Sequence, residues 1–227
     1  MLASITNFLN GMIFVLGVKR FRTLLKFVWV VIVMNNKEHV LLCLLGRSAS
    51  GKDTLANKLC ERTGLKQIIS YTTRERRVNE GDTHIFISND EYQTLEDSGQ
   101  IAAYTQIGQD RYCCTIKQLY ENDVYVIDPL GVQHLKELNL PNLRLVTVFI
   151  NTPDNIREER ALNKRGDDKS KWRVRNFAEH KQFNEMLKNA DFDYAVSNIE
   201  IAKAYSVLKW ISTVENVWKN NKENTTK

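Results

Sequence analysis

Proline is scarce in this chain, three residues in 227, and glycine is held to ten. That leaves no room for a long Pro- or Gly-rich linker, and the length suits one folded body carrying inserts. Cysteine is sparse as well. Cys43, Cys60, Cys113 and Cys114 lack metal-ligand spacing, which argues against a zinc site. Cys43 and Cys60 sit at apolar positions and read as small core residues, and adjacent Cys113 and Cys114 are not expected to pair with each other. A reduced, cytoplasmic protein is the default expectation.

Acid is absent from residues 1–36, where Lys19, Arg20, Arg22 and Lys26 hold four of the five net positive charges. The remainder is almost neutral, so the basic balance does not point to nucleic acid, and no nucleic-acid partner is expected. The same segment lacks an unbroken apolar run. Leu2–Val18 is interrupted by Ser4, Thr6, Asn7 and Asn10, and Leu24–Met34 contains Lys26. A membrane helix needs about 20 apolar residues, and each basic residue at its centre costs roughly 2.5–3.5 kcal/mol. A signal peptide carries its positive charge ahead of the apolar run, and none precedes it here. Three readings stay open: Met34 as the true start, an interfacial anchor with its basic residues at the headgroups, or a helix packed on the body. Membrane contact is expected only if residues 1–33 belong to the protein.

What is present is a phosphate loop. Gly46, Arg47, Ser48, Ala49, Ser50, Gly51, Lys52, Asp53 and Thr54 follow an apolar strand, Val40–Leu45, and lead into a helix with Leu55, Leu59 and Cys60 on one face. Gly46 and Gly51 let the backbone curl so that successive N–H groups aim at one anion. The helix N-terminus adds partial positive charge, and Lys52 reaches the β- and γ-phosphates. Asp53 stands where Ser or Thr usually holds Mg²⁺. Either Asp53 binds the metal, directly or through water, or Thr54 takes over.

Downstream, the helix at 52–62 stops near Thr63 and Gly64, and Lys66–Ser70 reads as a short strand. A half-exposed strand covers 84–88, and Asn89 or Asp90 caps a helix to about Asp97. Ile101–Thr105 and Arg111–Thr115 read as strands joined by a turn at 108–110. Val124–Asp128 reads as a buried strand ending in an acid, followed by a helix at Gly131–Leu138 and a strand at Leu143–Ile150. Pro153 is expected at an early position of a helix to about Asn163. A charged loop at 164–170, a long helix at Ser170–Leu187, a strand at Phe192–Val196 and a helix at Glu200–Trp218 complete the chain. The alternation implies an α/β fold with a doubly wound parallel sheet.

Several stretches carry a family resemblance. They are the phosphate loop, Ser70-x-Thr72-Thr73-Arg74-x-x-Arg77, the strand at 84–88, Tyr112, Ile127-Asp128-x-x-Gly131-Val132, Arg165-Gly166 and Val196-x-Asn198. In these the chain resembles the guanylate kinase family over roughly residues 38–218. The resemblance implies a P-loop kinase core at 37–69 and 121–227, a small, mostly β acceptor-binding insert at 70–120, and a lid at 164–176. It implies ATP and Mg²⁺, small-molecule nucleotide substrates, and a monomer or homodimer.

Arg74 and Arg77, three residues apart, can present two guanidinium forks to one acceptor phosphate, and Tyr112 can add a hydroxyl. By resemblance, Arg165 and Arg175 (or Arg173) close on the transferring group, and Asn198 lies on the adenine side. Asp128 can hold Mg²⁺ through water or read the base, and Ser70 belongs to the acceptor site. The departures fall on base reading. The family's guanine-reading glutamate slot falls on Ala103, its serine slot on Cys114, and a phosphate-binding tyrosine becomes His84. The leading function is a nucleoside-monophosphate kinase with GMP or dGMP as default acceptor. A same-fold kinase for a sugar phosphate or non-guanine nucleotide, and a non-catalytic interaction module, are the alternatives.

Overall fold

The computed structural model describes residues 38–76 and 84–217. The expectations for residues 1–36 and for Arg77 fall outside them. In chain order the described elements are β1 (His39–Leu45), α1 (Lys52–Thr63), β2 (Tyr71–Thr72), β3 (Ile85–Phe86), α2 (Asn89–Asp97), β4 (Ile101–Ile107) and β5 (Asp110–Thr115). There follow α3 (Ile116–Glu121), β6 (Val124–Val126), α4 (Pro129–Leu138), β7 (Leu143–Asn151), α5 (Asp154–Glu159), a π-helical turn (Arg160–Lys164), α6 (Lys169–Lys188), β8 (Tyr194–Ser197) and α7 (Ile201–Val214).

β1 organises the core. Successive side chains of a strand point to opposite faces, and β1 is apolar on both. Leu42 and Leu44 pack with Leu55 and Leu59 of α1 and Leu208 and Ile211 of α7. Leu41, Cys43 and Leu45 pack with Leu119 of α3, Leu135 of α4 and Phe183 and Met186 of α6. A strand buried on both faces belongs to a parallel sheet covered by helices on each side. The order is β6-β1-β7-β8, and every neighbouring pair is parallel. The C-terminal end of β1 releases the phosphate loop at the carboxyl edge of this sheet, the edge at which such folds bind ligands.

A second sheet, β3-β2-β5-β4, packs on the first through Ala102, Ala103 and Cys114, which share a buried cluster with Leu41 and Tyr125. Its β4–β5 hairpin turns at Gly108, and Ala103 lies opposite Cys114. Among the described residues no helix is long and apolar enough to cross a membrane.

Four local expectations need correction. Lys66–Ser70 is not a strand; it touches the sheet through one bridge, Gln67 to Val124. The Asp123 carboxylate takes the Lys66 N–H at 2.8 Å, and the chain then leaves for the second sheet. α2 is capped by Ser88, whose side chain accepts from the Glu91 N–H while Glu91 reaches back, a reciprocal box that Asn89 or Asp90 would not make. Pro153 is the cap of α5 rather than a helical residue, and α5 widens into the π turn after Glu159. β6 ends at Val126, because Asp128 turns to cap α4 and accepts the Gly131 N–H at 2.7 Å.

Candidate active site

The phosphate loop is shaped by its glycines and held by its neighbours. Gly51 has φ 83, and a Cβ there would stand 2.5 Å from Asn198 Nδ2. Ala49 takes φ 59, a left-handed conformation rare for a residue with a Cβ and typical of loops strained for function. Three donors converge on the Ser50 carbonyl: Asn198 Nδ2 at 2.7 Å, Thr152 Oγ at 3.0 Å and an Arg160 NH group at 3.3 Å. Arg160 also donates to the Asn198 carbonyl at 2.9 Å. Pinning that carbonyl pins the following peptide, so the Gly51 N–H keeps its direction. Lys52 opens α1 directly afterwards, with its amine 3.6 Å from Asp53 Oδ2.

The other side of the loop is held by α5 and α6. Arg157, 1% exposed, donates to the Ser48 carbonyl at 3.1 Å, to Asp154 at 2.8 Å and to Asn176 at 2.7 Å. Arg47 reaches Asn184 at 3.3 Å and Asp154 at 3.6 Å. Burial, followed by the neighbouring Arg157 charge, pulls the Arg47 pKa down. Glu179 of α6 accepts the Ser48 N–H at 2.8 Å and the Ser48 hydroxyl.

An open cleft of about 1070 Å³ runs from the loop to the second sheet. It gathers Gly46, Ser48 and Lys52 from the loop and Ser70, Arg74, His84 and Tyr112 from the insert side. Asp128 joins them from the start of α4, and Arg175 from α6. His84 meets the Tyr112 ring edge-on at 5.6 Å. Asp128 accepts from Gly131 on one oxygen and from the Thr105 hydroxyl on the other. Both its oxygens are oriented, and its plane is fixed at the cleft wall.

Some expected residues stand elsewhere. Arg165 does not line the cleft; it forks onto Asp167, and that hydrogen bond raises its pKa. Of the two candidate helix arginines, Arg175 lines the cleft and Arg173 does not. Asn198 is 1% exposed, so its amide braces the loop instead of meeting a base. Asp53 and Thr54 are exposed on the first turn of α1 and do not line the cleft. Ala103 borders the cleft with 1% of its surface exposed, and Cys114 opposite it is fully buried and hydrogen-bonds Tyr125; burial pushes the Cys114 thiol up to about 11. Cys114 therefore reads no base.

Sequence reasoning missed Thr105, Thr152, Arg157, Arg160 and Glu179. Thr152 and Thr105 carried a faint signal, a hydroxyl just past a buried strand and one two residues from Ala103 on the same strand face. The arginines and Glu179 sit in strongly charged helical stretches where nothing distinguishes them from surface charge.

Among the described residues no three of His, Cys, Asp and Glu gather as metal ligands. A metal here would take most of its ligands from phosphate and water, which suits Mg²⁺ with a single carboxylate. Asp53 stands outside the cleft lining but 3.6 Å from the Lys52 amine that lines it, where it would hold a metal carried by the phosphates.

The family model described as Guanylate kinase matches residues 38–215. The chain is 32% identical to a guanylate kinase of Wolbachia sp. subsp. Brugia malayi (strain TRS) over 176 residues, 74% of this chain and 88% of the relative. It is 30% identical to a guanylate kinase of Wolbachia pipientis wMel over 191 residues, 80% and 93% of the two chains. The crystal structure of guanylate kinase from Anaplasma phagocytophilum has the same fold, with TM-score 0.57, 24% identity, and 79% and 87% of the two chains covered.

Proposed function

The chain belongs to the guanylate kinase family, and from that premise we propose how its cleft works. It is an ATP-dependent nucleoside-monophosphate kinase, with GMP or dGMP as acceptor. The observation that carries this reading is the single cleft joining Lys52 to Arg74, Tyr112 and Asp128. Phosphoryl transfer asks little covalent chemistry of a protein. It asks that two phosphates be held in line with their charge neutralised.

The loop N–H groups and Lys52 hold the β- and γ-phosphates of ATP. Arg74, with Arg77, Tyr112 and His84, holds the acceptor phosphate, whose oxygen attacks the γ-phosphorus as ADP leaves. Arg175 reaches the transferring group from α6. Ser70 and Asp128 face the base. Asp53 would hold Mg²⁺, which would supply charge neutralisation on the phosphates. The four cysteines are free, three of them buried, which supports a reduced, cytoplasmic setting.

A second reading keeps the reaction and changes the acceptor. It is favoured by Ala103 at the glutamate slot and by the burial of Cys114 at the serine slot, which leave those two base-reading positions without a polar group for the base. A screen of ADP release against GMP, dGMP, AMP, UMP, CMP and several sugar phosphates tests both. Release with GMP or dGMP supports the first reading, and release with another acceptor alone supports the second.

A further inference from the structure

Glu179 is a carboxylate seated on the phosphate loop. Its Oε2 accepts the Ser48 N–H at 2.8 Å, and its Oε1 accepts the Ser48 hydroxyl. It lines the same cleft as Lys52. Two carboxylate oxygens accepting an N–H and an O–H from one residue present the same edge that a phosphate would.

We propose that Glu179 occupies the phosphate loop in the nucleotide-free enzyme, that an ATP phosphate displaces it, and that this exchange sets the affinity for ATP. The inference rests on the ATP-site reading above.

The surrounding contacts permit the exchange without unfolding anything. α6 stays docked when Glu179 leaves, because Asn176 and Asn184 on the same helix face hold Arg157 at 2.7 Å and Arg47 at 3.3 Å. The loop keeps its shape too, since Arg157 fixes the Ser48 carbonyl from behind at 3.1 Å. Only the Glu179 side chain has to rotate. The sign of the charges sets the direction. Carboxylate and phosphate are both anions competing for the same donors, so each excludes the other, and removing the carboxylate favours the phosphate.

Calorimetric titration of ATP and ADP into the full chain, wild type against Glu179→Ala and Glu179→Gln, tests this. Glu179→Ala should bind ATP about tenfold tighter, the scale of one charge-assisted hydrogen bond, with Glu179→Gln in between. The KM for GMP should not change. Thermal melts supply the second readout. Glu179→Ala should lower Tm without nucleotide and match the wild type when saturated with ATP, because the lost contact exists only in the empty loop. A Tm lowered equally in both states, with ATP affinity unchanged or weakened, would make Glu179 a plain support and overturn the inference. ATP binding absent from the wild type would overturn the ATP-site reading itself, an outcome distinct from equal ATP affinity in wild type and variant.

Discussion

The side-chain amide of Asn198 donates to the carbonyl of Ser50 across 2.7 Å, tying the end of the last core strand to a phosphate loop 148 positions earlier. Thr152 and Arg160 converge on the same oxygen. A carbonyl has two lone pairs, so three donors saturate it and the peptide after Ser50 cannot flip. Asn198→Ala should lower kcat/KM for ATP about tenfold, the cost of one buried hydrogen bond, and leave the KM for GMP alone. Gly51→Ala should do worse, because its Cβ would stand 2.5 Å from Asn198 Nδ2 at φ 83. In the double variant the clash is gone while the backbone strain remains, so the two losses should be less than additive. Strict additivity in that cycle would show that Asn198 does not govern the loop.

Among the described residues, Asp53 is the carboxylate paired with the Lys52 amine, at 3.6 Å. Asp53→Ser should keep substantial activity, since serine restores the usual metal ligand of such loops, and Asp53→Ala should lose most of it. Titrating Mg²⁺ in each variant checks this: the alanine variant should need more metal. An alanine variant with wild-type activity and Mg²⁺ dependence would remove Asp53 from the site.

The base wall gives the third prediction. Guanine offers two donors along one edge, and a carboxylate accepts both. Ala103 can accept neither, and leaving buried donors unpaired costs about 1–3 kcal/mol each. Discrimination between GMP and AMP should therefore be weak, resting on Asp128 as oriented by Thr105. Ala103 is 1% exposed, so Ala103→Glu should lower Tm; in the folded variant it should raise the preference for GMP, read as the ratio of kcat/KM values. A wild-type preference of about a thousandfold or more would show that another group reads guanine.

The phosphate loop was legible because strand, glycines, lysine and helix are contiguous. The two-sided burial of β1 was legible because an unbroken apolar strand has few other places to go. What surrounds the loop was not. Arg157, Arg160 and Glu179 act through contacts more than a hundred positions away, and a charged helical residue carries no local mark of such a partner. Arg165 shows the converse. Its motif was recognisable, but a local hydrogen bond to Asp167 holds it off the cleft. Cys114 shows a third limit: counting along a hairpin gave its position, while its depth depended on Tyr125 packing from the other sheet.

The central claim is that Lys52 and the loop around it move a phosphoryl group from ATP to a guanine nucleoside monophosphate. The most direct measurement is ADP release by wild type and Lys52→Ala, with ATP and Mg²⁺, in the presence and absence of GMP. The side chain of Lys52 has Asp53 as its ion-pair partner, so the variant should fold normally by circular dichroism. The account predicts GMP-dependent release by the wild type and a fall of roughly 10²–10³-fold or more in the variant. GMP-independent release, or a Lys52→Ala variant that keeps the wild-type rate, would contradict it.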